Sequence, residues 1–511
     1  MALNGYLGID IGTQALSIVF CDQADLKVLA TGEADYGMVP DLADGSFEQR
    51  TADWEGAMVR AMQQVRRKLG NIEVMAIGIS GQMHGEVLVD GEGNPLGSVR
   101  IWCDAGNEEE GLELTKIFNT KVPKRSTAAR FLWTCRNKPD RAKDTRQITT
   151  PAGWIAFRLT GAWTLGIGDA SGIFPIDQST LEYDEALLKL YDAIVGDCIS
   201  RSIKAMLPKI CVAGEDAGCL DKCGAKLLGL SIGIPVAAAE GDQPAALAGS
   251  LISKSGMVSM SFGTSVVANS VGDRAFQGVS PSVDHFCAAD GKPINMIWIR
   301  NGTTFMNEIV SMYADVLTCG NEAGFGSIMP RLVEADADCG GLLALPFMDD
   351  EPGVGVKQGG TAMLIGLNRQ NLSAGNVAKA ALLAPIFNLK LGSSVLVEQG
   401  YPLTEIILSG GVIKSPECGQ IVADVFNTQV TLLDSGVEGS SFGAAIMAKF
   451  RHERIQGSTL SWDEFLIGIK VGEGHRFEPN PEAVAVYAKG FERYKKLMAI
   501  QPLLCDAMNI K

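Results

Sequence analysis

Histidine is scarce in this chain: four in 511 residues, at His84, His285, His452 and His475, far apart in sequence. That spacing excludes a local zinc motif built from neighbouring ligands. The twelve cysteines are scattered and form no C-x-x-C pair, which reads as reduced, mostly buried thiols of a cytoplasmic protein and not as a disulfide framework. Basic residues are in deficit, 44 Lys+Arg against 59 Asp+Glu for a net charge of −15, so nucleic acid is excluded as a partner. No window approaches ~18 uninterrupted apolar residues, so neither a membrane span nor a membrane partner is read. The opening "MALNGYLGIDIG" has no basic stretch ahead of an apolar run, and no secretory leader is read there.

What is present is ordinary globular material, 46% hydrophobic and 20% charged. The length exceeds one core and predicts either about three domains or two large α/β lobes. "YLGIDIGTQALSIVFCD" reads as a strand from Tyr6 to Ile11, a turn at Gly12-Thr13 and a strand from Ala15 to Cys21. "GMVSMSFGTSVVANSV" repeats that shape around Gly263-Thr264. Two copies of strand-Gly-Thr-strand predict two lobes, each opening with a hairpin. Such a turn is either a plain hairpin or a nest. In a nest, glycine lets backbone N–H groups converge and threonine adds a hydroxyl, which suits phosphate oxygens. The first copy has Asp10 two residues before its glycine where the second has Ser261, and one acid beside a polyphosphate suits Mg²⁺.

Later, "EIILSGGVIKSPECGQIVADVF" predicts a strand from Ile406 to Leu408, a Gly410-Gly411 junction open to a flat or anionic ligand, and a helix from about Ser415. The small residues of "VEGSSFGAAIMAKF" predict a closely packed helix. "AAAEGDQPAAL" places Asp242 between a β-prone run and an Ala/Leu helix, as a helix N-cap, a metal ligand or a catalytic base.

Taken in order, "DIGT", "SGQMHG", "GDQ", "SFGTS" and "SGGVIKSP" resemble the FGGY carbohydrate kinases of the actin/hexokinase/Hsp70-like ATPase superfamily, over Gly5 to Phe450. "SGQMHG" is similar to the xylulokinase branch and to sedoheptulose kinases, whereas "GDQ" resembles glycerol kinases as much as xylulokinases. The resemblance implies an α/β fold of two ribonuclease-H-like lobes, with mixed five-stranded sheets flanked by helices and a cleft between. Residues 1–248 would bind sugar and carry the base, and residues 249–511 would bind ATP.

It implies transfer of the γ-phosphoryl of ATP, with Mg²⁺, to a primary hydroxyl of a ketose, first D-xylulose, giving D-xylulose 5-phosphate. Sedoheptulose, ribulose and glycerol are the alternative acceptors, and a non-transferring ATP-dependent switch is the alternative class. Asp242 is the implied base, and Asp10 and Asp242 bracket the metal. Gly12, Thr13, Gln14, Gly263, Thr264 and Ser265 are implied at the phosphates, and Gly410, Gly411 and Lys414 near the adenosine. Gln82, Met83, His84, Asp104 and Gln243 are implied at the sugar.

Three departures from the family pattern stand out. Glu240 occupies a position that is often glycine, and its carboxylate is expected to point away from the phosphates. Gly106 stands where an arginine would pair with Asp104, leaving that acid without its expected partner. Glu351 is followed by Pro352 with no arginine. "TTPAGWIAFRLTGAWTLGIGDASGIFPID" predicts a helix from Pro151 to Leu159 and a loop at Gly168-Asp169, with Asp169 a structural acid. The charged tail ending "YAKGFERYKKLMAI" predicts a peripheral helix, a candidate contact in a homodimer.

Overall fold

The computed structural model describes residues 3–252, 254–317, 320–410, 415–433, 439–470 and 474–510. Strands β1 (Leu3–Ile11), β2 (Ala15–Asp22) and β3 (Val28–Asp35) form an antiparallel meander. Helix α1 (Thr51–Leu69) then crosses over to β4 (Ile72–Gly81), which runs parallel to β1, and the short β5 (Glu240–Gly241) runs parallel to β4. The sheet order is β5-β4-β1-β2-β3. Both faces are covered, which is why β1 is buried along most of its length. The strand period of two sends Leu7, Ile9 and Ile11 to Trp54, Met58 and Ala61 of α1, and sends Tyr6 to the opposite layer.

Between β4 and β5 lie α2 (Pro151–Thr160) and α3 (Ile167–Ile173). The loop expected at Gly168-Asp169 is therefore helical. The signal lies outside the segment: the Glu240 carboxylate accepts from the N–H groups of Gly168 (3.2 Å) and Asp169 (2.9 Å) at the helix start. Gly166 has no side chain to do so, and the substitute cap comes from more than 70 residues downstream. Helix α4 (Asp242–Gly249) follows β5 directly.

The second sheet is built of β6 (Met257–Phe262), β7 (Val266–Val271), β8 (Val283–Cys287), β9 (Pro293–Ile299), β10 (Glu405–Gly410), β11 (Gln429–Leu432) and β12 (His475–Phe477), in the order β8-β9-β7-β6-β10-β11-β12. The five inner strands repeat the pairing of the first sheet, and β8 and β12 extend its edges. Helices α5 (Thr304–Val316), α6 (Asn321–Glu334) and α7 (Ala374–Gly392) cover one face. The stretch Ala374–Glu398 is long and apolar enough to cross a membrane by composition, but 67% of its window is buried inside this lobe, where α7 is the core helix. Helix α8 (Cys418–Phe426) follows β10.

Helix α9 (Gly439–Ile455) lies against β1, β4 and α4 of the first lobe. Its fit depends on absent side chains. A Cβ on Gly78 would stand 1.8 Å from the Ala444 carbonyl oxygen, and one on Gly443 would stand 1.8 Å from that of Ala245. The tail helix α10 (Pro481–Met498) docks on its own lobe through buried Tyr487 and Tyr494, and Tyr494 donates to Asn388 Oδ1 at 2.7 Å.

Candidate active site

The carboxyl ends of β1, β4 and β5 lie side by side, with Asp10 level with Ser80 and Ser80 level with Glu240. In parallel α/β sheets this edge is where ligands are held. Asp242 comes next in the chain as the first residue of α4, and the cap position itself belongs to Gly241. Ser80 Oγ donates to Asp10 Oδ1 at 2.6 Å. Burial raises the pKa of Asp10. Asp242 is pushed up to about 7, chiefly by burial and next by the nearby Asp10 charge, against N–H donation from Gln243.

The Asp10 charge raises the proton affinity of Asp242, and a divalent cation beside the two would relieve it. Among the described residues no group of three or more His, Cys, Asp or Glu side chains is arranged to hold a metal. Carboxylate oxygens are the donor type Mg²⁺ takes, one or two at a time, with water and phosphate oxygens completing its shell.

The two Gly-Thr turns are braced differently. In the first, the Gly12 carbonyl accepts from Tyr36 Oη and from Gln82 Nε2 (3.3 Å), and the Thr13 carbonyl accepts from Gln49 Nε2 (2.6 Å). Thr13 Oγ1 accepts the indole N–H of Trp102 at 2.9 Å, while the side chain of Gln14 is exposed. In the second turn, Thr303 donates to the Gly263 carbonyl through its hydroxyl (2.8 Å) and its N–H (2.9 Å), and the Gly302 N–H donates to the Thr264 carbonyl at 3.0 Å. The Gly263 N–H itself donates to the Ser265 carbonyl at 2.9 Å. The approach of Gly302 leaves no room for a Cβ, which would lie 2.6 Å from the Gly263 carbonyl oxygen. Asn301 anchors this brace to buried Glu351 through its N–H (2.8 Å) and Nδ2 (3.0 Å), so asparagine satisfies the acid that lacks its arginine. The stretch "NGTT" at 301–304 carried a turn signal that the family motifs do not include.

Gly263, Thr264 and Thr303 open onto a cavity of about 740 Å³ with apolar walls at Phe325, Met329 and Leu382. Gly410 ends β10 level with Phe262, beside it. Gly411 and Lys414 lie outside the described residues.

His84 takes a left-handed backbone (φ 68°), and its Nδ1 lies 3.0 Å from the Gly172 carbonyl oxygen. Burial, then the Arg125 charge, lowers its pKa to about 3, so the imidazole is neutral. A carbonyl only accepts, so Nδ1 carries the proton and Nε2 is left as an acceptor. His84 lines a cavity of about 150 Å³ with Arg125, Asp284 and His285. Met83 is buried against Gly241, where a Cβ would stand 2.4 Å from its Cγ.

The remaining residues implied at the sugar do not line the His84 cavity. Gln82 is buried and donates to Gln49 Oε1 (2.7 Å), so it braces the first turn. Gln243 Oε1 accepts from Asn269 of the second lobe (3.0 Å) in a separate crevice of about 300 Å³. Asp104 does not lack a partner. Arg100 reaches it at 2.6 Å and Arg130 at 3.5 Å, and the Phe47 N–H donates at 3.1 Å, so arginines elsewhere in the chain replace the one missing at Gly106. Glu240 points inward, and burial, then Asp169, raises its pKa to about 8.

The two lobes have matched sheets, Asp10 and Asp242 follow the strand ends of the first, one cavity is lined by His84 and another by Gly263, Thr264 and Thr303. Family models for the N-terminal and C-terminal domains of the FGGY family of carbohydrate kinases match residues 5–249 and 258–451. The chain belongs to the FGGY family of carbohydrate kinases, and it is a sugar kinase. It is 26% identical over 507 residues to a xylulose kinase of Haemophilus influenzae, covering 96% of this chain and 98% of that protein. The fold is similar to that of a ligand-bound xylulose kinase of Lactobacillus acidophilus (TM-score 0.81, 20% identity, 98% of each chain). It is also similar to that of a Plasmodium falciparum glycerol kinase with ADP (TM-score 0.79, 19% identity, 97% of this chain and 98% of that one).

Proposed function

We propose that the protein transfers the γ-phosphoryl group of ATP to a primary hydroxyl of a ketose, with D-xylulose the first acceptor and D-xylulose 5-phosphate the product. Residues 1–248 supply the sugar side and the base, and residues 249–511 the nucleotide side. The observation that carries the reading is Asp242. It stands at the open end of the parallel strands, its proton affinity is raised by burial and by Asp10, and it is close enough to feel the charge of Arg125, which lines the His84 cavity.

In this reading Asp242 accepts the hydroxyl proton as the sugar oxygen attacks the γ-phosphorus. A pKa of about 7 suits a base at neutral pH. His84 Nε2 accepts a hydrogen bond from a sugar hydroxyl. Gly263 and Thr264 hold phosphate oxygens, and the apolar walls of the large cavity take the adenine. Mg²⁺ held at Asp10 and Asp242 would supply neutralisation of phosphate charge. Most of the acceleration comes from positioning and from that neutralisation.

The glycerol kinase likeness and the Gly241-Asp242-Gln243 motif support a second reading on the acceptor, a polyol in place of a ketose. ADP release is the test, measured over D-xylulose, D-ribulose, sedoheptulose and glycerol. The first reading expects the highest kcat/KM with D-xylulose, and stimulation by none of them would refute sugar phosphorylation at this site.

A further inference from the structure

The joint between the lobes holds an ion cluster that no sugar motif includes. Lys121 and Arg125 come from the first lobe, and Asp284 comes from β8 of the second. Asp284 is 6% exposed and pairs with both cations, with Lys121 at 2.8 Å. Lys121 Nζ also donates to the Pro281 carbonyl at 2.6 Å, a second link across the joint. The Arg125 backbone is held in turn, since Arg130 Nε donates to its carbonyl at 3.2 Å. Lys121, Arg125 and Asp284 all line the His84 cavity.

Two cations against one anion leave the cavity rich in donors. A guanidinium has five N–H groups, and Asp284 engages only part of the fork. His84 offers the complementary group, a bare Nε2 acceptor. A sugar hydroxyl needs such a pair, one acceptor for its proton and one donor for its oxygen. Asp284 reaches Arg125 only when the lobes lie together, so the donor is set in place by the second lobe.

We propose that Arg125 is a specificity-determining contact to an oxygen of the acceptor sugar, and that Asp284 is the positioning residue that orients it across the lobe joint. The proposal rests on the reading of the His84 cavity as the acceptor site. It makes sugar recognition depend on lobe closure, because a site whose donor is aimed by the far lobe binds its acceptor well only when closed.

The test is steady-state kinetics of R125Q, R125K, D284N, the R125Q/D284N double variant and H84N. Nucleotide binding and thermal unfolding are measured beside it to show that each variant folds. Loss of a charged hydrogen bond predicts a rise in sugar KM of about 10- to 100-fold in R125Q and in D284N, with kcat and nucleotide affinity within a fewfold of the parent. Because Asp284 acts through Arg125, the double variant matches the worse single one and the effects do not add. R125K, which keeps the charge but not the fork, recovers part of the loss and serves as the reference should R125Q not fold. Unchanged sugar KM in the Arg125 variants, or additive effects in the double variant, overturns the proposal. Asparagine tolerates the left-handed backbone at position 84. A raised KM in H84N with unchanged Arg125 variants refutes this proposal alone, and an unchanged KM in H84N removes the acceptor site on which it rests.

Discussion

Replacing Asp242 by asparagine keeps the side-chain shape and removes its charge. The carboxyl is raised from its ordinary 3.8 to about 7 in the folded protein. At 1.36 kcal/mol per pH unit, that is about 4 kcal/mol of unfavourable ionisation in a fully shielded site. Asp242 is partly open to the cleft, so screening by water reduces the cost to about 1–3 kcal/mol. The sign follows from proton binding. The folded state holds this proton more tightly than the unfolded one, so its contribution to stability is complete below about pH 4 and is lost as pH rises to about 7. At pH 8 without nucleotide or metal, D242N is therefore expected to unfold at higher denaturant than the parent by that amount. The gain should disappear at pH 4. In a coupled assay with sugar and Mg-ATP, the same variant loses about 10²- to 10⁴-fold in kcat while nucleotide binding is kept. A variant less stable than the parent at pH 8, or one keeping a tenth of the parent's kcat, would show that Asp242 is a structural residue and refute the reasoning.

The pH profile of the parent should carry the same group: kcat/KM for the sugar falls on the acid side as Asp242 takes up its proton, with the limb shifted below 7 by bound Mg²⁺, and that limb is absent from the residual rate of D242N. Gly302→Ala forces a methyl within 2.6 Å of the Gly263 and Thr264 carbonyl oxygens. It should weaken nucleotide binding about tenfold or more by titration, with sugar binding retained. Gly78→Ala drives a Cβ to 1.8 Å from the Ala444 carbonyl oxygen. It should cost about 3 kcal/mol or more in an unfolding titration, since backbone has to move to admit it, and parent-like stability would contradict the close approach of α9.

The elements most legible from sequence are those whose hydrogen bonds close locally. The hairpins around Gly12-Thr13 and Gly263-Thr264 match the sequence reading, because antiparallel pairing across a short loop is local: Ile11 pairs with Leu16 and Phe262 with Val266. Placing Asp242 at a strand-to-helix junction needed only the change of period around it. The α3 segment carries no local helix-start signal, because its start is capped by Glu240, distant in the chain. The motif around Asp104 offers no arginine because it spans only the next two residues, whereas Arg100 and Arg130 reach that acid from a preceding strand and a later helix.

Sequence by itself thus determined the strands, their turns and the chemical types placed at their ends, since backbone pairing and side-chain period are properties of short segments. Only the tertiary structure decided which group meets which charge: Asn301 with Glu351, Arg100 and Arg130 with Asp104, Arg125 with Asp284 across the lobe joint. The physical reason is that a charge in a low-dielectric interior must find its counterpart in space, and any segment that packing brings within a few ångströms can supply it.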